Sequence, residues 1–357
     1  MYSWGRALVN EHITDIQSKN LQLVSFDAEW KDVYLGTVNG DSFKGICSDL
    51  NLNKNICCNA KTALFEKFGK DFPNLYISAS KWCPLDKCTA LIIGCQYGIL
   101  FFTWNGMNLF HYYDFQQNGI GVDYRLATGS MTKGIAAIGS DNVTVGTHTG
   151  TILLFRVRAK EDDSNLECIL IDTRRVHEKP ITELASTRIN SIDILASGDE
   201  EGEIHLWHLK KMDKNAPGPI LDHLTAVESP SSKVSKGYPV TAMCIWNKIP
   251  RGILIAAYGS GTIKIFGLAG NIIAQINAHS GWITALDLAT RSGILVSTGE
   301  DCFIKVWELS TTGRVVQHKF AKMVETLVTG VKFMSPIGSS FAISSYNTNI
   351  IQIYDRQ

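Results

Sequence analysis

Apolar positions along this chain recur with the period of a strand. The stretch 194–209, ILASGDEEGEIHLWHL, sets an apolar, β-branched run against a second run in which alternate residues are apolar, Ile204 and Leu206, across a turn of Gly, Asp and Glu. The stretch 294–309, ILVSTGEDCFIKVWEL, repeats the arrangement with Ile304 and Val306. Alternation across a tight polar turn predicts β-hairpins. A short helix around Thr62 to Phe68 aside, no useful length of chain shows the 3.6-residue period of an amphipathic helix.

The two hairpins also share a finer register. Ser197 and Ser297 are each followed four residues later by an acid, Glu201 or Asp301, and ten residues later by Trp207 or Trp307. Set on Ala256, the same template meets Ser260, Gly261 and Phe266; on Val145 it meets Thr149, Gly150 and Phe155; on Ser344 it meets Thr348, Asn349 and Tyr354. Apolar runs such as PITELA at Pro180, PVTAMCIW at Pro239 and WITALDLA at Trp282 precede these hairpins as first strands. The runs at Ile169, Asn271 and Val315 follow them as fourth strands. Shorter hairpins of the same kind begin at Val33 and Leu91. Seven four-stranded antiparallel units, each about 40 to 50 residues long, predict a single all-β domain over 1–357, a seven-bladed β-propeller. The last unit runs out of chain after its third strand, so its fourth strand is expected from the N-terminal segment between Tyr2 and Ile16, which would close the ring.

His177 in RVHEKPIT and His279 in NAHSGWIT stand before first strands, and Trp207 and Trp307 end third strands. In these residues the chain resembles the WD-repeat family, which keeps Gly-His and Trp-Asp at those two places. Trp207-His208 and Trp307-Glu308 lack the Asp after Trp. The resemblance implies a hydrogen-bonded structural brace in two blades, formed by His279, Ser297, Asp301 and Trp307, and less completely by His177, Ser197, Glu201 and Trp207.

Ser, His and Asp are also the members of a hydrolytic triad, so the residue types alone leave two readings. A triad is expected once, in a cleft, whereas this set returns in a second unit at the same spacing, which favours the brace. There is no Gly-x-Ser-x-Gly after a strand, no phosphate-cradling loop, no Gly-x-Gly-x-x-Gly opening a helix and no His-Glu-x-x-His. No catalytic residue and no cofactor are expected.

Composition narrows the partners. With 34 Lys plus Arg against 34 Asp plus Glu, the chain has no overall field that favours nucleic acid or an anionic membrane. Apolar residues make up 45% and charged residues 19%, a composition that fills a large core, and no run is apolar enough to span a bilayer. Nine cysteines, an odd number scattered through apolar runs, suit reduced thiols. Among them Cys83 and Cys88 have no second pair at matching spacing, so no metal site is expected.

Function in such a fold belongs to its rim loops, the strands being committed to packing. The candidates on the face that carries the first-strand lead-ins and the second-to-third turns are Trp282, Pro180 and Pro239, with His148, Glu200, Ser260, Glu300 and Asn347. Trp282 is either a desolvated interface anchor or a residue packed between blades. Two insertions, about 48–74 and 210–237, are either docking segments or loop growth without a role; the second reads as a mobile, solvated excursion. The family resemblance implies a cytoplasmic scaffold that presents these loops to one or more proteins. The distribution of its branch among ciliated organisms adds a second reading, a structural component of a cytoskeletal or ciliary (axonemal) assembly. Trp-Asp-x-Arg endings, as in propellers that serve cullin-type ligases, are absent from LWHLK, VWELS, LFRVR and IYDRQ.

Overall fold

The computed structural model describes residues 2–9, 21–26, 30, 33–48, 55–120, 134–159, 166–211, 218–228, 237–248, 252–312 and 315–357. Its strands form seven four-stranded sheets, the blades of a seven-bladed β-propeller. In chain order, blades one to six cover 21–59, 77–114, 135–175, 181–228, 240–277 and 283–323. Blade seven contains Val328–Phe333, Ser340–Ser345 and Ile350–Arg356, with the N-terminal strand Tyr2–Val9 as its outermost member. Within every other blade, consecutive strands are neighbours, the arrangement that short turns between antiparallel strands impose.

By its internal contacts the chain divides into two compact units. One comprises 1–39, 44–55 and 238–357; the other comprises 40–43 and 56–237. In the second unit, Phe101, Phe155, Val143, Val145 and Leu153 build a core in blades two and three. Leu154, Leu184, Leu195 and Trp207 build one in blades three and four. In the first unit, Ile255, Ile263, Ile265, Leu286 and Leu295 fill blades five and six, and Val296, Val306, Val331, Phe341 and Tyr354 fill six and seven. These residues alternate along their strands, which is why the two-residue period is so plain in the sequence.

The first strands carry a recurrent irregularity. In five blades the pairing register slips after the strand's first residue, between Ile77 and Ala79, Ile181 and Glu183, Val240 and Ala242, Ile283 and Ala285, and Val328 and Gly330. The skipped residue is a hydroxyl residue every time: Ser78, Thr182, Thr241, Thr284 and Thr329. Ser78, Thr182 and Thr329 donate to carbonyls of the paired strand, those of Gly94, Gly198 and Ser344, at 3.1–3.2 Å. A bulge leaves one residue out of the ladder, and a side-chain donor there satisfies a carbonyl that the backbone no longer reaches.

Two expectations about the insertions change. Ile220–Glu228 is the fourth strand of blade four, paired along Ile204–Lys210, and not part of a solvated excursion. The prolines and charges on either side of ILDHLTAVE mask its period. In the segment 48–74, a helix spans Ala60–Phe68; Asn59 Oδ1 caps it by accepting from the Thr62 N–H at 2.8 Å, and Gly69 ends it at φ 65°. The expected N-terminal donor proves to be Tyr2–Val9; residues 10–16 of that range lie outside the described residues.

Candidate functional site

Each brace begins in the turn of the preceding blade. Gly261, at φ +81°, accepts the backbone N–H groups of Ala278 and His279 at 2.9 Å. A Cβ on Gly261 would lie 2.1 Å from the His279 carbonyl oxygen, so only glycine allows this approach. Gly150, at φ +77°, stands in the same relation to the His177 carbonyl. The tight turns after Thr149 and Ser260 thus fix the two histidines.

In blade six, His279 Nε2 is 2.9 Å from Ser297 Oγ, His279 Nδ1 is 2.8 Å from Asp301 Oδ1, and Trp307 Nε1 is 3.2 Å from Ser297 Oγ. An indole N–H can only donate, so Ser297 accepts from Trp307 and gives its own hydrogen to Nε2. That leaves the imidazole proton on Nδ1, donated to Asp301. Burial holds the His279 pKa below its ordinary value against the pull of Asp301, so the ring is neutral. For Asp301, burial pushes upward, but His279 and the N–H groups of Ser280 and Phe303 outweigh it and hold the carboxyl below its usual range.

Blade four builds the same network with a different acid. His177 Nε2 is 2.8 Å from Ser197 Oγ, Trp207 Nε1 is 2.9 Å from Ser197 Oγ, and His177 Nδ1 is 3.0 Å from Asp199 Oδ2. Glu201, the acid expected from the spacing, is not a member. It lies on the surface in an ion pair with Lys179 at 2.9 Å. Asp199 is two residues closer to Ser197, its carboxylate reaches the ring directly, and its other oxygen accepts the N–H groups of Glu201 and Glu203. In blade six the matching position is Gly299, and the acid arrives from the turn.

Beside this brace lie Glu203 and His205, at positions that Phe303 and Lys305 occupy in blade six. His205 is buried at 6% exposure; its Nδ1 is 2.8 Å from His223 Nε2, and its Nε2 is 3.1 Å from Glu203 Oε1 without a hydrogen bond. Burial, with His177 and His223 beside it, pushes the His205 pKa down to about 4. Burial and then the charge of Asp199 push Glu203 up. The cysteines are free thiols, and burial raises Cys58, Cys83, Cys95 and Cys168.

The rim candidates separate by exposure. Glu200 in one unit, and Ser260, Glu300 and Asn347 in the other, are exposed at turn tips. Pro180, Pro239 and His148 are half-buried; the carbonyls of the two prolines accept the N–H groups of Glu200 and Gly259. Trp282 is half-buried as well. Its ring lies against Gly259 of the preceding blade, where an added Cβ would come within 2.9 Å of it, so packing occupies one face. More open aromatics stand nearby in sequence terms: Tyr238, 59% exposed before Pro239, and Tyr346, 43% exposed before Asn347. An aromatic next to a turn or lead-in residue was the readable signal for both.

The sequence model of the WDR54 family matches residues 1–356. The chain belongs to the WDR54 family. Human WD repeat-containing protein 54 is 28% identical over 356 residues, 97% of each chain. Mouse cilia- and flagella-associated protein 44 is 20% identical over 264 residues, 71% of this chain and 13% of that protein. Among solved structures, the WD40 β-propeller domain of Doa1 superimposes with a TM-score of 0.63 at 14% identity, covering 100% of this chain and 97% of that one, a likeness of fold. No helix among the described residues is long and apolar enough to cross a membrane.

Proposed function

We propose that this WDR54-family chain is a non-catalytic scaffold that presents propeller rim loops to protein partners in the cytoplasm. The observation that carries this reading is the contrast between the two sets of polar residues. The Ser-His-acid networks, which hold the chemistry of a hydrolase, are sealed: Ser197 and Ser297 have no solvent exposure, and each serine accepts from a tryptophan. Polar groups left to solvent include the tips Glu200, Ser260, Glu300 and Asn347, together with Tyr238 and Tyr346. Exposed aromatics ringed by polar residues are the ordinary anchors of protein interfaces.

Proximity labelling in native cells tests the reading. A variant combining Tyr238→Ala, Glu300→Lys and Tyr346→Ala is expected to lose a defined set of labelled proteins that a variant at the outer-strand residue Ile272→Ser retains. Identical labelling by the two variants would count against rim presentation. Similarity to a cilia- and flagella-associated protein supports a second reading, a fixed place in a ciliary assembly. Retention with detergent-extracted axonemes, against release with soluble protein, separates the two.

A further inference from the structure

We propose that His177, Glu203 and His205 form a binding site for one divalent transition-metal ion of the zinc class, held in blade four beside the brace. The ligand atoms of these three residues lie within 4.8 Å of one another. His205 Nε2 is a buried imidazole nitrogen with no hydrogen-bond partner, although a carboxylate oxygen, Glu203 Oε1, is only 3.1 Å away. That combination fits chelation better than a hydrogen bond. In a tetrahedral zinc site with bonds of about 2.0–2.1 Å, neighbouring ligand atoms lie roughly 3.3 Å apart, and the oxygen sits off the line of the nitrogen lone pair.

The surroundings favour a cation. When Nε2 of His205 is a ligand, its proton is on Nδ1 and is donated to His223 Nε2 at 2.8 Å, which fixes the ring's orientation as metal-binding imidazoles require. Asp199, which accepts the Glu203 N–H at 2.8 Å, sets a second carboxylate beside Glu203, and a dication would offset that negative charge. His177 already gives both nitrogens to Ser197 and Asp199, so its share in the ion exchanges one brace bond for a metal bond.

The two blades supply an internal control. Both hold a complete brace, so the brace does not account for Glu203 and His205. At the matching positions blade six has Phe303 and Lys305, and Lys305 spends its ammonium on the Ala278 carbonyl and the Phe303 ring. The ligand pair is particular to blade four.

Zinc titration of the metal-stripped full-length chain, in competition with a chromophoric chelator, tests the proposal; cobalt(II) in place of zinc reports tetrahedral geometry through its visible absorption. One ion per chain is expected, with affinity falling on the order of a hundredfold in His205→Asn and in Glu203→Gln, both of which leave the brace residues intact. The paired substitution Phe303→Glu with Lys305→His is expected to add a second ion in blade six. Absence of saturable binding, or binding unchanged by His205→Asn and Glu203→Gln in chains whose circular dichroism remains native, overturns the site.

Discussion

Gly299 occupies in blade six the strand position that Asp199 occupies in blade four, each paired with the first residue of its blade's first strand. The difference decides where the acid of each brace comes from. A Cβ at Gly299 would lie 2.7 Å from His279 Nδ1 and 2.9 Å from Asp301 Oδ1, so glycine leaves the space that the Asp301 carboxylate needs. In blade four the side chain at this place is itself the acid. Asp199→Asn is therefore expected to cost about 1.5–3 kcal/mol, because a buried charged acceptor of three hydrogen bonds is lost. Glu201→Gln, at an exposed ion pair, is expected to change stability by less than about 0.5 kcal/mol. Denaturant unfolding of both variants checks the contrast; equal losses would restore Glu201 as the acid.

The same geometry makes Gly299→Ala a sensitive substitution. The added methyl meets the ring and the carboxylate together, and neither can retreat without breaking the 2.8 Å bond between them. A loss of about 1–3 kcal/mol is expected. Gly281→Ala is the control: its Cβ meets nothing closer than 3.6 Å, at Glu300. The difference in Tm between the two variants measures the effect of the crowding.

Much of this was legible in the sequence, and what was hidden has physical reasons. Ile304 and Val306 alternate with the less buried Phe303 and Lys305 because one face of the strand is packed more deeply than the other, whereas the second strands, buried on both faces, read as continuous apolar runs, so period and blade count could be read directly. The outer strands obey the rule less well: Ile220–Glu228 carries exposed His223 and Leu224, and so resembled a loop. Spacing misplaced the acid of blade four because a carboxylate reaches the same histidine from the strand or from the turn. Ser78, Thr182, Thr241, Thr284 and Thr329 were visible as an apolar residue followed by Ser or Thr, a pattern whose meaning needs the bulge. His177 meets Glu203 and His205 only through strand pairing, which brings His205 opposite Ser197, the hydrogen-bond partner of His177. A search for metal ligands by short sequence spacing could not find them.

Acid is expected to weaken the fold through blade six. The folded pKa of His279 is below its ordinary value of about 6.5, so at pH values just below that the unfolded chain binds a proton that the native chain refuses. Stability then falls as pH falls, by at most about 1.4 kcal/mol per pH unit for this one group. Asp301 adds to the loss at lower pH. Its folded pKa is depressed, so its stabilisation is complete above the ordinary carboxylate range and is lost as pH drops through that range towards the folded value. Unfolding free energies measured from pH 7.5 down to 4 are expected to decline, with a shallower slope for His279→Asn between pH 6.5 and 5. Identical slopes would remove His279 from this account.

The N-terminal strand offers the sharpest test of ring closure. Tyr2–Val9 pairs along Ile350–Arg356, with one register slip between Trp4 and Arg6. Two of its side chains are sunk into cores. Tyr2 packs on Phe341 at 5.1 Å between ring centres and donates its hydroxyl to the Gly338 carbonyl, and Leu8, 1% exposed, sits among Leu21, Leu35, Ala342 and Ile351. Leu8→Ala is expected to cost about 2–5 kcal/mol, whereas Trp4→Ala, at a side chain 55% exposed, is expected to be close to neutral. Removing residues 1–9 altogether would leave the backbone groups of Ile350–Arg356 open as a pairing edge, so the shortened chain is expected to self-associate in size-exclusion chromatography. Adding a peptide of sequence YSWGRALV should then return it to a monomer with a raised Tm. A shortened chain that stays monomeric with an unchanged Tm would show that blade seven stands without the strand.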